Sequence, residues 1–214
     1  PLEDTLRMLA RRQNLRKCVV ALVALVAASA CDSTSPPKPV SIVFIGDANQ
    51  SGTVAQILTP GPQIQIRDDK ANPLSGIAFT VTVAGGGTLE GAPAKTTGNA
   101  TALGTWTLGQ TAGQQSLTVE SVGVPSLTIN AMATPGPATA SSTGGAPTVS
   151  EGTVGAISAS QPQIKIVDAF GNVVPALPIA VLVIGGGSVQ NLNPTTNSAG
   201  IASAGAWTLG TTAG

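Results

Sequence analysis

Oxygen donors gather at two places in the sequence. Asp68, Asp69 and Asn72 stand together, and Asp168 and Asn172 stand together a hundred residues on. Carboxylate and amide oxygens at such spacing are candidate ligands for calcium, which takes about six to eight oxygens. These positions offer few. The same residues also form a turn, in which Asp and Asn bond their own backbone and Gly171 or Asn172 tolerates positive φ. The turn is the expected reading, and no metal site is assigned. Gly85, Gly86 and Gly87 invite a phosphate-loop reading. They lack the Lys-Ser/Thr partner and sit in a strand-rich pattern, so a sharp turn or bulge is expected instead. Trp106 and Trp207 are candidates for stacking on sugars, but their parity with Leu108 and Leu209 places them in a core. Phe170 falls in a polar turn, aligned with Lys70, and is expected to be exposed.

Acid–base and nucleophilic chemistry lack their parts. The chain has no His and no Tyr, which removes the usual general base and a common metal ligand. Ser and Thr are abundant without a base to activate one. Gln190 stands where Glu90 stands in the first half, and Glu120 has no counterpart, so no carboxylate pair for glycoside chemistry emerges. No catalytic residue and no cofactor is assigned. From Cys31 onward five basic residues face eight acidic ones. Scattered lysines on a mildly acidic surface give no electrostatic reason to hold nucleic acid.

The N-terminus has the pattern of an export signal. Arg11 to Lys17 is a positive segment, and Cys18 to Ala30 is an apolar run of 13 residues. A bilayer span needs about 20, so the run suits the apolar region of a signal peptide. Small residues Ala28, Ser29 and Ala30 then precede Cys31. They fit general signal peptidase, and Ala-Ser-Ala-Cys also resembles a bacterial lipobox, although Ala28 stands where Leu is preferred. Both readings place cleavage before Cys31, which makes residues 1–30 a signal peptide. The resemblance implies lipid attachment at Cys31 and a membrane partner through that anchor. Met8 is the expected start, with residues 1–7 lying upstream of it. Residues 31–39 read as a polar, Pro-rich tether.

The remainder is a repeat. Pro62 to Ile66 align with Pro162 to Ile166, Asp68 with Asp168, and the triple glycines with each other at an offset of 100. Trp106 to Gly109 align with Trp207 to Gly210 at an offset of 101, which implies a one-residue insertion. Such self-similarity indicates duplicated domains. Within each copy the hydrophobic period is two. Ile64 and Ile66 alternate with polar neighbours, as do Phe79, Val81 and Val83, then Leu117 and Val119, then Leu127, Ile129 and Ala131. Ala100, Ala102, Gly104, Trp106 and Leu108 share one parity and are expected on one face. Short alternating strands separated by Gly- and Asn-rich turns predict an all-β fold of tandem sandwiches. The expected boundaries are 40–134 for the first domain, 135–145 for a linker region and 146–214 for the second. The second lacks a match to Gln114 through Ala133 and is expected to be incomplete.

Val167-Asp168 to Asn172, Gly185 to Gly187 and Trp207 to Gly214 resemble the bacterial immunoglobulin-like domains of the intimin and invasin type. The first copy departs from that pattern with Ala71 where Gly is usual. The resemblance implies tandem immunoglobulin-like sandwiches behind a signal helix, exported to the cell envelope, outer membrane or cell surface as a non-catalytic lipoprotein stalk or adhesion module. A cell-surface glycan or protein is the candidate ligand class. The alternative is an accessory region, carbohydrate-binding or spacer, of a larger surface enzyme or receptor.

Overall fold

A computed structural model of the chain describes residues 36–47, 49–143 and 151–213. The expected signal peptide 1–30, Cys31 and part of the tether lie outside the described residues. Residues Pro39–Gly214 form one compact unit.

The first domain runs through β1 (Ser41–Ile45), β2 (Gln50–Thr53), β3 (Gln63–Arg67), β4 (Ser75–Ala78), β5 (Thr80–Ala84), β6 (Thr88–Glu90), β7 (Lys95–Thr97), β8 (Thr101–Ala102), β9 (Thr105–Thr107), β10 (Gly113–Ser121) and β11 (Val124–Thr134). One sheet has the order β1-β3-β8, and the other β2-β11-β10-β5. All pairs are antiparallel except β2 with β11. Alternation aims one face of each sheet inward. Ile42, Ile64 and Ile66 from the first sheet meet Leu117, Val119, Ile129, Ala131 and Ala133 from the second, around Trp106, Leu103, Leu108 and Phe79. The result is an immunoglobulin-like β-sandwich with an apolar interior.

One expectation fails. Residues 100–108 do not form a continuous strand with Ala100, Ala102 and Gly104 on the face of Trp106. Thr101 and Leu103 are buried instead, while Ala100 and Ala102 are exposed. The chain changes face at Gly104, whose φ is +106°. This φ suits glycine, and an added Cβ would collide with the Glu90 carbonyl oxygen. The break lets β8 join β3 in one sheet while β9 pairs with β6.

The triple glycine serves two purposes. Gly85 and Gly86 have φ of +95° and +80° and turn the chain between β5 and β6. Gly87 permits a close approach: a Cβ there would strike the Thr107 carbonyl oxygen and come within 3.3 Å of the Trp106 indole nitrogen. Across the turn, a Cβ on Gly109 would collide with the Gly85 carbonyl oxygen and lie 2.7 Å from the Gly86 carbonyl carbon. The two glycine motifs therefore interlock beside the core tryptophan.

The second domain begins with β12 (Ala138–Ser142), which pairs with β13 (Gln163–Asp168). A strand thus occupies part of 135–145, because a run of small residues there supplies a ladder to β13 without needing apolar side chains. β14 (Ser188–Val189), β15 (Ile201–Ser203) and β16 (Trp207–Thr208) follow. The sheet β12-β13-β15 repeats β1-β3-β8, and the pair β14-β16 repeats β6-β9. Gly187 and Gly210 repeat the glycine interlock. Ile64 faces Thr101, and Ile164 faces Ala202; Thr96 and Thr196 make equivalent bonds. The one-residue insertion therefore falls after Thr196 and before Ala202. Among the described residues of the second domain no strand corresponds to β10 or β11. Val54 is 2% exposed and the corresponding Val154 is 46% exposed.

Gly109→Ala is expected to cost more than Gly86→Ala. At Gly86 nothing lies within 4 Å, so only its positive φ is penalised, by about 1 kcal/mol. At Gly109 backbone must move, which calls for about 2 kcal/mol or more. Urea denaturation of the two variants checks the order.

Candidate functional site at the junction between the two domains

Asp168 ends β13 and opens a tight turn. One carboxylate oxygen, Oδ1, accepts the backbone N–H groups of Phe170 and Asn172, both at 2.9 Å. The other, Oδ2, accepts the Asn172 side-chain amide at 2.9 Å and the Gly136 N–H, also at 2.9 Å. Gly136 belongs to the connection between the domains. Four N–H donors thus converge on one carboxylate. They occupy the lone pairs that a cation would need and surround them with positive ends of dipoles, so the arrangement is a turn and an anchor rather than a calcium site.

The turn then reaches across to the first domain. Asn172 Oδ1 accepts the Ala112 N–H at 2.9 Å, and its amide nitrogen donates to the Gln110 carbonyl at 2.7 Å. A single amide therefore bridges a donor and an acceptor on the loop 109–112, which joins β9 to β10. Each such bond is worth about 0.5–1.5 kcal/mol net. Their directionality sets where the second domain stands, because both polar ends of one planar group must be satisfied together.

The loop receiving Asn172 is braced from beneath. Gln115 on β10 is a buried polar side chain. Its Oε1 accepts the Gly109 N–H at 2.7 Å, and its Nε2 donates to the Thr111 carbonyl at 3.0 Å. In the sequence Gln115 reads as one polar residue among others at the start of a strand. Its even spacing with Leu117 and Val119 was the available signal, since that parity points inward.

The same turn occurs in the first domain without the docking. Asp68 Oδ1 accepts N–H groups from Lys70 and Asn72, at 2.9 and 2.8 Å, and Oδ2 accepts the Asn72 amide at 3.1 Å. Asn72 is exposed, whereas Asn172 is half-buried by its contacts. Asp69 is exposed beside it and makes no part of the turn's hydrogen bonding. Burial pushes both aspartate carboxyls upward, but the hydrogen bonds outweigh it. For Asp168 these come from the Asn172 side chain, then the backbone of Gly136, Asn172 and Phe170. For Asp68 they come from the Asn72 side chain and backbone and from the Lys70 backbone, and the Lys70 charge nearby acts in the same direction. Both carboxyls lie below the usual aspartate value.

The remaining candidates separate. Trp106 is 0% exposed and is core, out of reach of a sugar, while Trp207 is half-buried. Phe170 is 44% exposed. Glu90 and Glu120 are both exposed on the first domain. Glu120 lines a groove of about 460 Å³ with Phe79, Val122 and Val124, and no second acid lines it. Among the described residues no three acids, cysteines or histidines cluster, and no helix is long and apolar enough to cross a membrane.

No protein-family model matches the chain, and no curated protein matches it in sequence. Solved structures do. In fold the chain is similar to bacterial immunoglobulin-like adhesin and surface-layer domains. Domains 5–6 of the S-layer protein SbsC align at 15% identity and a TM-score of 0.38, covering 81% of this chain and 85% of that one. FdeC, an Escherichia coli adhesin, aligns at 19% identity and 0.44, covering 84% of this chain and 59% of its own. The D0–D1 domain of intimin aligns at 13% identity and 0.34, covering 80% and 88%. The sandwich itself is established by the strands described above.

The depressed carboxyls make a prediction about acid. A group whose pKa is lower in the folded chain than its unfolded value of about 3.9 contributes stability above that value and loses it as pH falls through the folded pKa. Unfolding free energy is therefore expected to hold steady for these groups from pH 7 to about pH 4 and to fall below it. Asp168→Asn should flatten that fall and lower stability at pH 7. Urea titrations at pH 7 and pH 3 on both proteins check this.

Proposed function

We propose that the chain is a non-catalytic module of the cell envelope, a stalk or adhesion element that holds tandem β-sandwiches at a set angle, tethered by a lipid at Cys31. The junction carries this reading. A chain that only needed two independent domains would gain nothing from an asparagine that bridges the Gln110 carbonyl and the Ala112 N–H while its own turn holds the connecting Gly136. Those contacts convert a two-domain chain into a spacer with direction. Antiparallel ladders within each domain add resistance to extension.

The N-terminal pattern supports the tether. An apolar run too short to span, small residues before a lone exported thiol, and a polar Pro-rich stretch behind it are the parts an acyl anchor needs. Acyl chains contribute about 0.8 kcal/mol for each buried methylene, which is the source of membrane residence in this reading. The exposed hairpin tip at Val122 and the turn aromatic Phe170 are among the exposed apolar side chains, with Ile57, Met132, Leu182 and Ile184, that a cell-surface protein or glycan ligand could meet.

Expression of the chain in a bacterium fed a radioactive fatty acid tests the anchor. The label is expected on the mature protein and is expected to vanish in Cys31→Ser. An unlabelled mature protein overturns the lipid tether.

A further inference from the structure

The pattern Asn-x-Ser/Thr occurs three times in the sequence, at Asn49-Gln50-Ser51, Asn99-Ala100-Thr101 and Asn193-Pro194-Thr195. It marks an acceptor for N-linked sugar when the middle residue is not Pro and the segment is exposed in an exported protein. The structure separates the three. Asn193 is excluded by Pro194. At Asn99 the hydroxyl that must be read is out of reach: Thr101 is 0% exposed, its Oγ1 accepts the Thr97 N–H at 3.0 Å, and the Asn99 carbonyl accepts the Gln65 amide. Asn49 is different. Asn49 and Ser51 are both exposed, and among the described residues neither the Asn49 amide nor the Ser51 hydroxyl is engaged in a hydrogen bond.

We propose that Asn49 is an N-glycosylation acceptor. The assignment rests on the export reading, since the sugar donor for this reaction faces the outside of the cell membrane. Asn49 Nδ2 attacks the anomeric carbon of an oligosaccharide carried on a lipid pyrophosphate. The N–C bond forms, the C–O bond to phosphate breaks, the amide gives up one proton, and the lipid pyrophosphate leaves. No oxidant or reductant enters.

Three features of the fold favour this site. Asn49 lies just before β2, an edge strand bonded only to β11 among the described residues, so an enzyme can approach from the open side. Asp47 Oδ1 accepts the Asn49 backbone N–H at 3.0 Å, so this bond does not use the side-chain amide; the Asp47 carboxylate also offers a counter-charge to a basic group of the transferase. Beside Asn49 runs a shallow groove of about 320 Å³ lined by Ser51, Gln114, Asn130 and Met132. Ser51, Met132 and Gln114 are cross-strand neighbours on the outward face of β2, β11 and β10, and Met132 is 51% exposed. A first sugar resting there would meet amide partners and an apolar patch, and would cover an edge open to pairing with another chain.

The folded full chain, incubated with a bacterial oligosaccharyltransferase and a lipid-pyrophosphate-linked oligosaccharide of known mass, tests the proposal by intact mass and peptide mapping. One added oligosaccharide on Asn49 is expected, lost in Asn49→Gln and Ser51→Ala and kept in Ser51→Thr and Asn99→Gln. No mass increase, in a reaction that modifies an unstructured acceptor peptide, overturns it; so does sugar mapped to Asn99. The transferase is supplied directly, so a negative result counts against Asn49 alone and leaves the export reading to the fatty-acid label.

Discussion

The arrangement of this molecule depends on one carboxylate that collects four N–H groups. Asp168 takes two from its own turn, one from the Asn172 side chain and one from Gly136 in the connection. With the turn fixed, the Asn172 amide has one orientation left, and in that orientation it meets the loop of the preceding domain. Gln115 holds that loop from inside the first sandwich. The path from one domain to the next is therefore polar, short and directional. Apolar surface could hold two domains together, but it is tolerant of sliding and rotation. A planar amide that must satisfy a carbonyl and an N–H at once is not.

A second constraint, the close approach of glycine to tryptophan, recurs in both domains. The third glycine of each triplet leaves room for the indole, and the glycine after the tryptophan leaves room for the first of the triplet. This explains why the two motifs travel together in both repeats. It also explains how a chain with three Phe, two Trp and no Tyr fills a core: one tryptophan and a shell of Ile, Val, Leu and Ala pack against backbone that has been stripped of side chains.

The repeat, the alternation and the strand-rich class were legible because they are local or periodic. Ile64, Ile66, Leu117 and Val119 lie where their parity puts them. The parity of 100–108 misled because a single residue, Gly104, lies at positive φ and reverses the faces; periodicity cannot see a backbone kink of one residue. The Asp-to-Asn turn was legible as a turn, since Asp68 and Asp168 bond their own backbone. Its role at the junction was not, because the partners of Asn172 lie 60 and 62 residues away and are backbone atoms, which carry no side-chain signature. Gln115 and the paired Thr96 and Thr196 were hidden for a related reason: a buried polar residue that serves backbone looks the same in sequence as an exposed one.

Small-angle X-ray scattering on the folded chain and on Asn172→Ala tests the central claim most directly, with circular dichroism to confirm that both sandwiches persist. The account predicts that the variant keeps its β-sheet spectrum while its scattering broadens into that of two domains sampling many relative angles. Scattering curves that superimpose would contradict it and would mean that the orientation is set by something other than the asparagine bridge.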